Sequence, residues 1–172
     1  MVDIRVATSA DAAMIADLSR RAFQDAFGQF NSPDNMEKFL NGEFERENLT
    51  NQVGSQGNTF FIATADNRII GYARLCESVN PPGIGEFNAV EISRIYVEQE
   101  AIARGIGSRL MQACISEARK RRKEVIWLGV WEHNPRAIAF YRKFGFERFG
   151  KHVFMLGDDP QTDWLMKREL NS

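Results

Sequence analysis

The chain has 172 residues, of which 44% are hydrophobic and 26% charged, with a formal net charge of −1. That length and apolar fraction suit one core-burying domain spanning 1–172, and the near-neutral balance excludes a global basic surface for nucleic acid or a strongly acidic tail. With two cysteines and two histidines and no C-x-x-C spacing, Cys76 and Cys114 are expected to be buried reduced thiols, with no metal site. No apolar run approaches the roughly 18 residues of a membrane span and no leader pattern opens the chain, so a soluble cytoplasmic protein is expected.

Ile4 to Val6 read as a short first strand. Ser9 reads as the N-cap of a helix carrying Met14, Leu18, Ala22 and Phe23 on one face. Ser32 and Pro33 start a second helix, with serine as N-cap and proline at the first helical position, where it loses no hydrogen bond. The stretch TFFIATADNRIIGYARLCE is two β-rich runs about Asp66-Asn67-Arg68, a hairpin by its turn residues. After the loop NPPGIGEF, AVEISRIYV resumes the strand pattern. Alternation puts Glu91, Ser93, Ile95 and Val97 on one side and Ile92, Arg94 and Tyr96 on the other.

ARGIGSRLM leads into a helix with Leu110, Cys114 and Ala118 at four-residue spacing, and the basic run Arg119 to Lys123 suits its C-terminus. EVIWLGVW has the apolar density of a strand covered on both faces. Strand, glycine turn, helix and strand form a βαβ unit. HNPRAIAFYRKFGF is a helix with Asn134 at the N-cap, Pro135 at N1 and Gly145 as the residue that stops it. The tail reads as a closing strand pair about Asp158-Asp159-Pro160. The sum is one α/β domain with a mixed sheet.

Two glycines at a helix start cost stability, about 1 kcal/mol each relative to alanine in a helix interior. They allow an anion to approach unpaired N–H groups at the positive end of the helix dipole. The dinucleotide fingerprint G-x-G-x-x-G fails because Leu110 occupies its third glycine position, and the P-loop fails because no Gly-Lys-Ser/Thr follows. What remains is R-G-x-G after a strand, which a tight turn or close helix packing also explains.

The larger constellation is more specific. SRIYV, six residues, RGIGSRLM, a helix, an apolar strand and then N-P-x-A-I-x-F-Y-x-K-x-G-F resembles the GNAT (GCN5-related) superfamily of acyl-CoA-dependent N-acetyltransferases, over the whole chain. FNSPDNMEKFL, IWLGVWEHNPRAIAFYRKFGF and MLGDDPQTDWLM look like its bacterial spermidine/spermine N-acetyltransferase group. The resemblance implies a mostly antiparallel sheet of about six to seven strands flanked by helices, with strands 4 and 5 splayed around acetyl-CoA. Ile95, Tyr96 and Val97 would pair with pantetheine amides, and the amides of Ala103, Arg104, Gly105, Ile106, Gly107 and Ser108 would hold the pyrophosphate. In the signature Q/R-x-x-G-x-G/A the first position is Ile102, a departure that removes a side-chain contact. Asn134 is read both as a cofactor contact and as a plain N-cap, and Lys143 both as a phosphate contact and as a solvated lysine.

Acetyl transfer to an amine needs an unprotonated nitrogen, a stabilised oxyanion and a proton for the leaving thiolate. A primary amine with pKa about 10 is almost wholly ammonium at neutral pH, so a base, directly or through water, removes a proton. Glu91 is the first candidate, the other readings being a water chain or an ion pair of Glu91 with Arg94. Tyr141 matches the family tyrosine that protonates the thiolate, although a tyrosine on an apolar helix face also serves as core. A polyamine acceptor would need spaced carboxylates with apolar or aromatic walls, for which Asp25, Glu77, Glu86, Glu91 and Glu132 are available. The expected function is acetyl-CoA-dependent acetylation of a small-molecule amine such as spermidine or spermine, without nucleic acid or membrane, in a possible homodimer. The alternatives are acetylation of a protein N-terminus or lysine, and a non-catalytic acetyl-CoA-binding regulator.

Overall fold

The computed structural model describes residues 1–171. Among these, seven strands, β1 (Asp3–Val6), β2 (Asn58–Ala65), β3 (Arg68–Cys76), β4 (Ala89–Val97), β5 (Val125–Trp131), β6 (Glu147–Leu156) and β7 (Asp159–Glu169), form one sheet in the order β1-β2-β3-β4-β5-β7-β6. Helices α4 (Ile106–Lys120) and α5 (Pro135–Lys143) cover one face, and α1 (Ala12–Phe27), α2 (Pro33–Glu43) and α3 (Arg46–Gln52) the other. The sheet is mixed as expected, because β4 and β5 run parallel while the other neighbours are antiparallel.

Local chemistry accounts for the element boundaries, with three corrections to the sequence reading. Ser9 does not cap the first helix: Thr8 opens a short turn ahead of it and Asp11 is the N-cap of α1. A 3-10 turn over Ser9–Asp11 precedes α1, and the Asp11 carboxylate accepts from the Thr8 amide at 2.8 Å and from both terminal nitrogens of Arg5 at 2.9 and 2.8 Å. The buried stripe of α1 runs through Ile15, Leu18, Ala22 and Phe23, which leaves Met14 at its edge and 47% exposed. The closing hairpin turns at Gly157-Asp158, so Asp159 and Pro160 already belong to β7. Elsewhere the expectations hold: Ser32 Oγ accepts from Asn35 with Pro33 at N1, and Asp66 and Asn67 turn the β2–β3 hairpin at φ 50° and 60°, the two-residue form that matches strand twist. Both cysteines are free and buried.

Strand β4 breaks the alternation read from its sequence. Its register against β3 slips between Arg74↔Arg94 and Leu75↔Ile92, so Ser93 is an extra residue, a β-bulge. Val90 and Ile92 before the bulge, and Ile95 and Val97 after it, all pack toward α4. Glu91, Arg94 and Tyr96 consequently share the opposite face, where Arg94 lies over the Phe44 ring and Tyr96 packs among residues of α1 and α2.

Beyond the bulge the sheet opens. Pairing of β4 with β5 covers only Ala89↔Val125, Val90↔Ile126 and Glu91↔Trp127, whereas β5 stays paired to β7 through Trp131↔Asp163. From Ile92 onward β4 follows β3, and from Leu128 onward β5 follows β7. A wedge opens between them, with Glu91 at its apex.

Asp11 fastens α1 beside this sheet, and its bonds from Arg5 and Thr8 hold its carboxyl below the ordinary carboxylate range. A depressed folded value contributes stability that is present above the unfolded value of about 3.9 and is lost as pH falls through the folded value. Asp11→Asn is therefore expected to cost about 1–2 kcal/mol at pH 7 in urea unfolding. The gap to wild type should close as the pH falls below the unfolded carboxylate value, and a pH-independent gap would contradict this.

Candidate active site

One end of the wedge faces the turn before α4. Ala103 and Gly105 both adopt positive φ, 68° and 78°, which points successive amides the same way and makes a concave anion-binding surface. Gly105 caps α4 in the left-handed region, where glycine carries no Cβ penalty. The first backbone bond of the helix runs from Arg109 N to Gly105 O at 3.1 Å. The amides of Gly105, Ile106, Gly107 and Ser108 thus precede any intrahelical partner. The expectation for Arg104 needs amending, because its amide donates to Ala101 O at 3.3 Å and is spent inside the turn.

Along the wedge, the edges of β4 and β5 that face each other have no strand between them after Glu91 and Trp127. The backbone groups of Ile95 and Val97 face this open stretch, whereas those of Tyr96 are turned to β3, as the bond from Glu98 N to Ile70 O at 2.8 Å and the pairing Tyr72↔Tyr96 require. The Tyr96 ring is fixed edge-on by Phe44 and Tyr72, at 6.0 and 5.8 Å between centroids. Burial pushes its phenol well above the ordinary tyrosine range.

Tyr141 comes from α5, whose ends are both tied down. Asn134 Oδ1 caps the helix by accepting from Ala137 N at 3.2 Å. At the other end Gly145, at φ 81°, lets Phe146 N bond Tyr141 O at 3.2 Å and Gly145 N bond Arg142 O at 3.0 Å, a Schellman closure. The Phe146 ring then rests 6.1 Å from the Tyr141 ring. Tyr141 is buried among residues of α4 and the sheet, including Ile106 and Cys114. Its phenol carries a proton at neutral pH, and burial, with Cys114 beside it, pushes the phenol above the ordinary range and makes it a weaker acid than a solvated tyrosine. The Cys114 thiol, pushed up to about 12 by burial, is inert. Lys143 is exposed in the last turn of α5.

The opposite face of the wedge is polar. Glu91 Oε2 lies 3.7 Å from Cys76 Sγ. It is not the partner of Arg94, whose guanidinium bonds Glu43 and, at 3.0 Å, Gln52 Oε1. Arg94 has only 4% of its side chain exposed, and with Phe44 beneath it it clamps the α2–α3 segment to the sheet. Directly opposite on β3, Arg74 donates to Asn58 Oδ1 at 2.8 Å and lies over Phe60.

Of the five carboxylates available for an acceptor site, Glu91 lies at the apex of the wedge. Glu77 is bound by Lys123 at 2.7 Å, Asp25 lines a hollow with Arg21 and Glu98, Glu86 is exposed in its loop, and Glu132 lies beyond β5 beside His133. The acidic groups that do approach this face, Glu43 and Asp163, went unread in the sequence. Glu43 and His152 line a groove of about 440 Å³ between α2 and β6, walled by Phe39, Val153, Phe154 and Met155. His152 Nε2 lies 3.4 Å from Asp163 Oδ2. That pairing was legible only through the hairpin register: a two-residue turn at Gly157-Asp158 pairs His152 with Asp163, and a turn placed at Asp158-Asp159-Pro160 does not.

Among the described residues no group of three or more His, Cys, Asp or Glu side chains is placed to hold a metal. No helix there is long and apolar enough to cross a membrane.

Comparison with known proteins agrees with this geometry. An uncharacterized N-acetyltransferase encoded in the pepI 3′ region of Lactobacillus delbrueckii subsp. lactis is 40% identical over 159 residues, covering 89% of this chain and 88% of that protein. The N-alpha-acetyltransferase RimI of Mycobacterium tuberculosis is 30% identical over 114 residues, covering 64% of this chain and 68% of that protein. In structure, the PaiA N-acetyltransferase of Thermoplasma acidophilum, solved in complex with coenzyme A, superposes with a TM-score of 0.82 at 21% identity, covering 98% of this chain and 99% of that one. The acetyltransferase (GNAT) family profile matches residues 15–146, and the chain belongs to that family.

Proposed function

We propose that the protein transfers an acetyl group from acetyl-CoA to a primary amine, with polyamines such as spermidine or spermine as the acceptor class. The observation that carries the donor half is the open wedge between β4 and β5 ending on the turn whose amides precede any helical partner. Acetyl-CoA, when bound, supplies the activated acetyl thioester. Ile95 and Val97, on either side of Tyr96, whose own backbone is committed to β3, offer backbone groups to its amide-bearing arm, and the amides of Ala103 and Gly105 to Ser108 offer donors to its pyrophosphate, with Arg104 and Lys143 as exposed cations. Asn134 enters as the cap that sets α5. The buried, protonated phenol of Tyr141 is the acid for the departing thiolate.

The acceptor half is supported by the opposite face. Glu91 at the apex draws an ammonium toward the wedge, and Glu43 and Asp158, the latter paired with Lys38, carry negative charge along a groove whose walls are Phe39, Phe154, Val153 and Met155. Spaced carboxylates with apolar walls suit a flexible aliphatic polycation. The likeness to an N-alpha-acetyltransferase favours a second reading, transfer to a protein N-terminus.

Thiol release from acetyl-CoA, measured with spermidine, spermine, a peptide bearing a free N-terminus, a lysine peptide and no acceptor, tests these readings. Polyamine-dependent release should fall about tenfold or more in Tyr141→Phe with the thermal midpoint little changed. Release with the peptides alone would move the acceptor to protein amines. Binding of acetyl-CoA without release for any amine would make the protein a sensor.

Gly105→Val tests the turn. A β-branched residue at φ 78° is strained by about 1–2 kcal/mol. The variant should weaken acetyl-CoA binding by about tenfold in calorimetry and leave amine KM near wild type, whereas unchanged acetyl-CoA affinity would contradict the role of these amides.

A further inference from the structure

We infer that His152, oriented by Asp163, is the group that takes the proton from the acceptor amine, with Glu91 holding the ammonium by its charge. The inference rests on the amine-transfer reading above and deepens it. His152 on β6 lies over the stretch of β5 that has left β4: a Cβ built on Gly129 would stand 3.3 Å from His152 Nε2 and 3.4 Å from Asp163 Oδ2. Glycine at 129 therefore leaves the space the pair occupies, at the side of the wedge facing the groove. The His152 side chain is 43% exposed while that of Asp163 is 13% exposed, the arrangement of a solvent-accessible base with its orienting carboxylate more deeply set.

The bond to Asp163 places the proton of the neutral ring on Nε2 and leaves the Nδ1 lone pair to accept. In the proposed step one N–H bond of the ammonium breaks and its electron pair stays on nitrogen as the lone pair of the neutral amine, the form that acyl transfer requires. The proton bonds to Nδ1. The resulting imidazolium keeps its Nε2–H on Asp163 and returns the Nδ1 proton to water. Imidazole has an ordinary pKa of about 6.5 against about 4.3 for a glutamate, and a base near the operating pH is the more effective. The charged groups facing the ring are Asp163 from β7, Glu91 from β4, Glu43 and Lys38 from α2 and Asp158 from the β6–β7 turn, with Lys151 adjacent on its own strand. The Asp163 bond dominates and raises the ring above its ordinary range. The base is then neutral, and working, only as the pH rises through that raised value.

Two readouts test this in wild type, His152→Gln and Asp163→Asn: the pH profile of kcat/KM for the amine, and the NMR titration of the His152 ring without substrate. We expect the wild-type acid limb to coincide with the ring titration. It should move to lower pH together with that titration in Asp163→Asn, and vanish in His152→Gln with a loss of about a hundredfold and an unchanged acetyl-CoA affinity. A profile that keeps its shape and height in His152→Gln, or stays put in Asp163→Asn while the ring titration moves, would overturn the assignment. Absence of amine-dependent release in the wild type would overturn the amine-transfer reading and the assignment with it.

Discussion

Everything in this structure is arranged around the early parting of two parallel strands. β4 and β5 share three residue pairs and then separate, each held by its other neighbour. Opening a sheet in its middle is costly, since buried backbone N–H and C=O groups left unpaired lose roughly the value of a hydrogen bond each. The cost is tolerable only where something else pairs with those groups, and a ligand arm carrying its own amides does so. The bulge at Ser93 belongs to the same device, because it turns the outer half of β4 away and exchanges the faces of its side chains.

The parting divides the site into two chemically unlike sides. Toward α4 and α5 the surroundings are apolar, so the phenol of Tyr141 is held protonated by lack of solvation. Its position is set by helix-end chemistry, from the Asn134 cap to the closure at Gly145 and the contact with Phe146. Toward α1 to α3 the surroundings are charged and the charges are tied. Arg94 is buried at the price of its bonds to Glu43 and Gln52, and breaking such a pair leaves an uncompensated buried charge. The α2–α3 cover therefore stays on the sheet and walls one side of the groove. In the proposed reaction donor and acceptor meet from opposite faces, with Tyr141 on one side and Glu91, His152 and Asp163 on the other.

Much of this was legible in the sequence because local rules decide it. Ser32-Pro33, Asn134-Pro135, Gly145 and Asp66-Asn67 act through backbone geometry within a few residues, and each sits where local chemistry puts it. Tyr141 and the turn at Gly105 stand out in the sequence through its resemblance to the GNAT pattern, not through local rules. What failed depends on register and long-range placement. One extra residue at Ser93 carried Glu91 to the face of Arg94, yet Arg94 found its carboxylate on α2, a partner fifty-one positions away in the chain that periodicity does not reveal. The acceptor side is not legible for the same reason: local rules do not say which carboxylates converge, Glu77 is tied to Lys123, and His152 meets Asp163 only through the register of the closing hairpin.

The central claim is that the wedge and the α4 turn hold acetyl-CoA through backbone amides. Amide hydrogen exchange with and without acetyl-CoA tests it most directly. The account predicts slowed exchange at residues 95, 97 and 105–108, with Tyr96, already bonded to β3, and Arg104, already bonded within its turn, changing least. Protection elsewhere, with these two segments exchanging at the same rate in both states, would contradict it.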